Sequence, residues 1–497
     1  MNSRTVQLLY LTIFIAVNWI LFAASVPQEE GGLKKIPATY HNASDGQRYW
    51  GVAINLAEHG RFVLRTAGEN VSLLDAAQAS VRNRTLIEEP LVRAGPLPAL
   101  LFSLPIKIFG FDKAAGYIVV IQCVLLFLTG VIARALAEPF GWSKNLLQAL
   151  LIFNPILVGL AHLAQSETVF VFLITAVLVF STKFLSVEKS ASIVEVGLFG
   201  LSAGLLPLAR PLGLYVILAL PIFLLICFFV ADKDRRVRLR YLNSWRIAIV
   251  VAIAIAVSSV WAYRNYQVFG EFALTQSEGT MMQWHYSALR KIHGQKQSES
   301  DLFHDYFATH DVESVSCDEI RIRGTECKHL ATRIYLDAII KTPPADIGYA
   351  LAVSWTKLLF SGGASTIARY IGVSTPNLSK FLHKDGDSND SFATELKKII
   401  GKDGKFFLLF IFTTSVAIFA RILGIVGLIT IRDRMRLSLG LFHFLYLSVF
   451  LSMYLFVGLS RFRAPLEPIL MLYATGGIGI IAVRFKTRAK QDRYNTV

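Results

Sequence analysis

Two carboxylates and four arginines stand at the ends of apolar stretches in this sequence, where a charge needs a reason. Asp45 lies in a polar segment, Tyr40 to Val63, that reads as a helix: Ser44 and Gln47 have capping-box spacing and Gly60 supplies a C-terminal stop. Tyr49 follows one turn later on the Asp45 face, while Trp50, Ile54 and Phe62 give the segment a surface that can lie on a membrane. Glu167, in HLAQSETVF, opens an apolar run. The helix dipole alone would favour it there with Ser166 as cap; the functional alternative is a second acid that holds a metal, an acceptor hydroxyl or a basic partner. Arg210 in LARPLG, Arg264 in WAYRNYQVFG, and Arg461 with Arg463 in SRFRAPLEP fall at similar ends. Singly, each is accounted for by lipid head groups or by pairing with Glu167, Glu271 or Glu467. Together they suit an anion with phosphate-like oxygens, which guanidinium groups grip through parallel hydrogen bonds.

The elements that must position these groups are apolar helices. With 54% hydrophobic and only 17% charged residues over 497 positions, the chain reads as an all-α polytopic membrane protein. Its net charge of +15 sits in short loops between apolar spans, so it is a topology signal rather than a nucleic-acid-binding surface. Ten spans are expected, at about 6–25, 115–135, 146–163, 168–184, 190–208, 212–231, 246–263, 405–431, 437–458 and 465–483. The first could instead be a cleaved signal peptide, but its apolar run exceeds the usual length for one. Residues 99–111, with Pro105 and Lys107, are short for a crossing and belong along the outer interface. With the amino terminus inside, Arg134, Lys183, Arg235, Arg434 and Arg484 all fall on cytoplasmic turns. The expected organisation is a first transmembrane helix (1–26), an external loop with interfacial helices (27–114), helices two to seven (115–263), a second external loop of mixed structure (264–404), three last helices (405–485) and a basic cytoplasmic tail (486–497). In that second loop Asp346 to Phe360 is amphipathic enough to lie on the membrane, and Gly362 to Ser391 reads as mobile. Cys317 and Cys327 share the exported loop and are expected to pair, whereas Cys123 and Cys227 lie inside spans.

The order of these segments resembles the GT-C superfamily, polytopic glycosyltransferases that use polyprenyl-phosphate sugars, close to its protein O-mannosyltransferase and aminoarabinose-transferase branches. SDGQRYWGVAINLAEHGRF resembles the first external-loop signature. VRAGPLPALLFSLPIKIFGFD, QSETVFVFL, ARPLGL, RNYQVFGEF and SRFRAPLEPIL follow in the family's order. The likeness covers most of the chain apart from about 280–400. Asp45 is followed by Gly46 where many relatives carry two acids, and Glu167 stands where several have Asp.

What the resemblance implies is a GT-C-like bundle of about ten helices that transfers a sugar at the outer face of a bacterial inner membrane. Asp45 would take the proton of an acceptor hydroxyl, and Arg210, Arg264, Arg461 and Arg463 would bind the donor phosphate. Glu167 would orient the acceptor or a divalent cation such as Mg or Mn, although no dense His, Cys and Asp cluster marks a metal site. Tyr49, Arg93 and His41 become candidate substrate contacts; the residues themselves read His41, His59, His162 and His285 as polar interface groups. The partners implied are a polyprenyl-phosphate-linked sugar, an acceptor that is glycan, lipid or protein, and membrane lipids, with no nucleic acid. The alternative of another class is a transporter or flippase of an anionic lipid. It calls for charges near the bilayer middle and for paired broken helices or internal repeats, and the sequence shows neither.

Overall fold

The computed structural model describes residues 3–25, 45–66, 87–90, 95–185, 192–230, 233–270, 272–275, 278–293, 302, 325–373, 404–431 and 434–494. Helix α1 (Ser3–Ala23) is followed by α2 (Asp45–His59) and by a two-stranded antiparallel hairpin of β1 (Val63–Thr66) and β2 (Ile87–Pro90). Then come α3 (Pro96–Phe109), α4 (Phe111–Ala137), α5 (Lys144–Ile152), α6 (Pro155–Ala161), α7 (Glu167–Leu185), α8 (Ile193–Ala209), α9 (Gly213–Val230) and α10 (Lys233–Phe269). The second outer segment holds α11 (Glu278–Ile292), α12 (Thr325–Lys341), α13 (Pro344–Phe360) and α14 (Ala364–Tyr370). The chain closes with α15 (Gly404–Ile429), α16 (Arg434–Met453), a 3-10 turn over Ser460–Leu466 and α17 (Glu467–Tyr494).

Every expected span coincides with a helix, and the apolar character dictates why. Among the described residues seven helices are long and apolar enough to cross a membrane; α5 and α6 together make an eighth, bent by 54°. The spans expected at 190–208 and 212–231 fall on α8, an apolar helix of 17 residues, and α9, an apolar helix of 18 residues. The bend between α5 and α6 has a local cause: Pro155 cannot continue the helix, and Asn154 caps the new one by accepting from the Ile156 amide at 3.0 Å. Among the described residues this is one broken span rather than a pair of them, whereas Arg421 within α15 corrects the expectation that the spans carry no charge. The β1–β2 hairpin was not foreseen either; α3, in contrast, is a 14-residue helix, too short to cross, as its sequence implied.

One expectation of a surface-lying segment is overturned. Trp50 and Ile54 of α2, expected on the membrane surface, are 3% and 4% exposed and pack among Ala99, Phe102, Ile118 and Trp261. In the segment after α10, α13 buries Ala350, Ser354 and Leu358 on one face and leaves Tyr349 56% exposed on another, as an amphipathic helix does; α14, at the start of the stretch expected to be mobile, buries Ala364, Ala368 and Tyr370, and residues 374–391 of that stretch lie outside the described residues.

One glycine sets how close the outer end of the bundle draws together. Gly95 caps α3 where a Cβ would lie 2.1 Å from the Leu208 carbonyl oxygen, near the end of α8, whereas a Cβ on Gly197, within the same α8, would meet nothing within 4 Å. Gly95→Ala is therefore expected to lower thermal stability in detergent by about 1–3 kcal/mol, the usual cost of overpacking. Gly197→Ala should leave it unchanged or raise it by up to about 1 kcal/mol through reduced backbone entropy.

Candidate functional site

The site is assembled where several helix ends converge. Helix α2 is anchored by its apolar face, Tyr49, Trp50, Val52, Ala53 and Ile54, against α3, α4, the Ala164 turn and Trp261 of α10. That docking sets Tyr49, one turn after Asp45, beside Ala164 and in one cavity lining with Ser166, both in the buried turn that joins α6 to α7. Glu167, the first residue of α7, is 2% exposed and forms an ion pair with Arg210 at 2.8 Å. Arg210 ends α8 in extended conformation and lies 5.6 Å from the centre of the Phe462 ring. Arg461 lies over the same ring at 4.9 Å, and Tyr454 stacks on it at 4.5 Å.

These groups head a cavity of about 620 Å³. Tyr49, Ser166, Arg210 and Tyr454 supply its polar end, and Ile217, Leu218, Pro221, Val251, Ala254 and Ile255 line an apolar trough between α9 and α10. Leu218 and Ile255 are also 60% and 55% exposed, so the trough opens sideways between two helices where a bilayer would lie. A polar head that carries a guanidinium, joined to an apolar trough open at its side, has the form of an amphiphile's binding site.

The other predicted arginines are placed differently. Arg463 donates through Nε to Glu467 Oε1 and through Nη1 to the Leu358 and Leu359 carbonyls, at 2.7 and 2.6 Å. Arg421 donates to the same Glu467 oxygen at 2.7 Å, and Asn154 Nδ2 to its second oxygen at 2.9 Å. Glu467 is wholly buried, so this cluster ties α17, α15, α13 and the α5–α6 break into one unit. Arg264 donates to the Phe62 carbonyl at 3.1 Å and sits 4.6 Å over Trp261, which fastens the end of α10 to the chain leaving α2. Of the four arginines, Arg210 is among the residues that line the cavity.

The Asp45 side chain, His41, Arg93, Cys317 and the Cys327 side chain lie outside the described residues. Among the described residues no three His, Cys, Asp or Glu side chains gather to hold a metal ion, and Glu167 Oε1 is paired with Arg210. The cavity also brings in residues that were not predicted as ligands. Phe462 lies within a predicted basic turn and Tyr454 precedes it, but nothing in their local sequence marks them as a stack. His285 was read as an interface group; it is 4% exposed, lines the cavity and sits edge-on to Phe456 at 6.0 Å. Burial pushes its pKa below the ordinary histidine value, against a hydrogen bond to the Met453 backbone that acts in the other direction.

No protein-family model matches the chain, and no curated protein sequence matches it. Solved structures similar to it include the archaeal oligosaccharyltransferase AglB from Archaeoglobus fulgidus in complex with an inhibitory peptide and a dolichol-phosphate, at 11% identity and TM-score 0.46, over 98% of this chain and 52% of that one. The apo form of the Archaeoglobus fulgidus oligosaccharyltransferase matches at 12% identity and TM-score 0.46, again over 98% and 52%. ArnT from Cupriavidus metallidurans bound to undecaprenyl phosphate matches at 14% identity and TM-score 0.37, over 95% of this chain and 78% of that one. The chain thus spans about half the length of the oligosaccharyltransferases it matches.

Two outcomes follow from the buried charges. Glu467→Gln leaves two buried guanidinium groups without their counter-charge and is expected to cost about 3–5 kcal/mol, measured as loss of monodisperse protein after graded heating. For His285, the folded chain holds fewer protons than the unfolded one below the unfolded value of about 6.5, so acid withdraws stability. The melting temperature should fall between pH 7.5 and 5, and His285→Asn should fall less over that range.

Proposed function

We propose that the protein is an integral membrane glycosyltransferase that moves a sugar from a polyprenyl-phosphate donor to an acceptor hydroxyl, with inversion, at the outer face of a bacterial inner membrane. The observation that carries this reading is the 620 Å³ cavity, with Arg210 at its polar head and a trough between α9 and α10 that opens sideways. A polyprenyl chain enters such a trough from the bilayer without crossing water. Its phosphate then meets a guanidinium already oriented by Glu167.

The order and spacing of the outer-turn motifs support the same chemistry. Asp45 opens the helix whose next turn brings Tyr49 to the cavity, which suits it to act as general base. The acceptor oxygen attacks the anomeric carbon, its proton passes to Asp45, and the bond from that carbon to the phosphate oxygen breaks. The electron pair leaves on the lipid phosphate. Arg210, with Arg461 on the same aromatic ring, stabilises that growing negative charge, and one displacement inverts the anomeric centre. The acceptor is a glycan, lipid or protein hydroxyl of the cell envelope.

Transfer from a panel of radiolabelled polyprenyl-phosphate sugars to a membrane extract tests the reading. The wild type is expected to transfer one sugar, and Asp45→Asn to slow it about 100- to 10,000-fold while donor binding persists. Arg210→Gln should weaken donor binding and transfer together. Undiminished transfer by Asp45→Asn would remove Asp45 as base. Movement of labelled lipid between leaflets without transfer by the wild type would favour the flippase instead.

A further inference from the structure

The cavity has a second polar wall that the phosphate reading leaves unused. Helix α11 turns Met281, Trp284 and His285 to it, residues at the three- and four-residue spacing of one helical face. Its other residues are taken up by protein: Tyr286 packs with Tyr335 of α12, and Leu289 with Ala350 of α13 and Phe456. The α11 wall is therefore a supported surface, held from behind by two helices. Phe272 joins it on the cavity side; it is 64% exposed and Trp284 41%, so two aromatic faces stand at the mouth.

His285 is the polar group of that wall. It is 4% exposed, and one ring nitrogen bonds the backbone of Met453, the last residue of α16. A carbonyl at a helix end can only accept, so that nitrogen carries the proton. The other, Nδ1, has no hydrogen-bond partner among the described residues. A buried polar atom left without a partner costs free energy unless something outside the chain satisfies it. Depressed basicity keeps the ring neutral, so Nδ1 is a lone-pair acceptor, the opposite of what the Arg210 end offers.

The two ends are linked through rings. Arg210 lies against Phe462, Phe462 stacks with Tyr454, and Tyr454 adjoins the Met453 that His285 bonds. A ligand whose anionic group rests at Arg210 thus presents its next group to α11. We propose that the α11 wall is the subsite that reads the sugar: His285 Nδ1 accepts a hydrogen bond from a hydroxyl or amino group of the sugar, and Trp284 and Phe272 pack on its apolar face. This rests on the donor reading above and adds to it the residue that distinguishes a sugar-linked lipid from the bare phosphate.

The test compares binding of undecaprenyl phosphate with binding of glucosyl-, mannosyl- and aminopentosyl-undecaprenyl phosphate to the purified full chain. The proteins are the wild type, His285→Phe and His285→Asn, the last keeping an acceptor near the Nδ1 position. Undecaprenyl phosphate should bind all three alike. The preferred sugar-linked lipid should bind His285→Phe roughly tenfold more weakly, as expected for one lost hydrogen bond to a buried group, and recover with His285→Asn. Equal affinity of wild type and His285→Phe for every sugar-linked lipid would overturn the subsite. So would a parallel loss for undecaprenyl phosphate, which marks a structural role. Failure of the wild type to bind any of the four lipids would instead overturn the donor reading itself.

Discussion

A charge buried away from water must find its counter-charge within the chain, and this molecule is arranged around that constraint. Glu167 and Glu467 both begin a helix at a buried end, and each is held by arginine, Arg210 for the first and Arg421 with Arg463 for the second. Desolvating such groups costs several kcal/mol each unless the partner geometry is good, so neither pair tolerates a displaced helix. The Glu467 cluster fixes α17 against α15 and α13 and engages the Asn154 cap at the α5–α6 break. It is a clamp, built of the same residue types as the site, and Arg421, Arg463 and Glu467 are not among the residues that line the cavity.

The Glu167–Arg210 pair differs because one side of it borders the cavity. Arg210 ends α8, Phe462 lies in the turn before α17 and Tyr49 sits in α2, so three separate parts of the chain must dock before the polar head exists. The docking of α2 on Phe102, Ile118 and Trp261, and the close approach of Gly95 to Leu208, bring those parts together. The apolar trough follows from α9 and α10, which present Ile217, Leu218, Val251 and Ile255 along one side. The site thus combines charge at a helix end with a surface that lipid can reach.

Hydropathy made the spans legible, since length and apolar content are properties of a run of residues and survive any packing. Glu167, Arg210 and Tyr49 were legible for a related reason: polar groups at apolar ends stand out. What could not be read was which arginine does what. Arg210 and Arg463 both sit in short basic turns next to prolines, yet one lines a cavity and the other caps two carbonyls, and only tertiary packing separates them. Arg421 was overlooked inside an apolar run because its partner, Glu467, is distant in sequence. His285 lies in a stretch whose apolar residues, Met281, Met282, Tyr286, Leu289 and Ile292, recur at helical spacing, but its burial depends on α13 and the end of α16 coming from elsewhere in the chain. Trp50 and Ile54 looked like a membrane-facing stripe; an apolar stripe does not say whether lipid or protein covers it.

The most direct measurement is a high-resolution cryo-electron microscopy structure of the protein in a lipid nanodisc containing undecaprenyl phosphate. Continuous tail density between α9 and α10, ending in a phosphate within about 3 Å of the Arg210 guanidinium, is the predicted result. An empty trough at saturating lipid, or a phosphate bound away from Arg210, would contradict it.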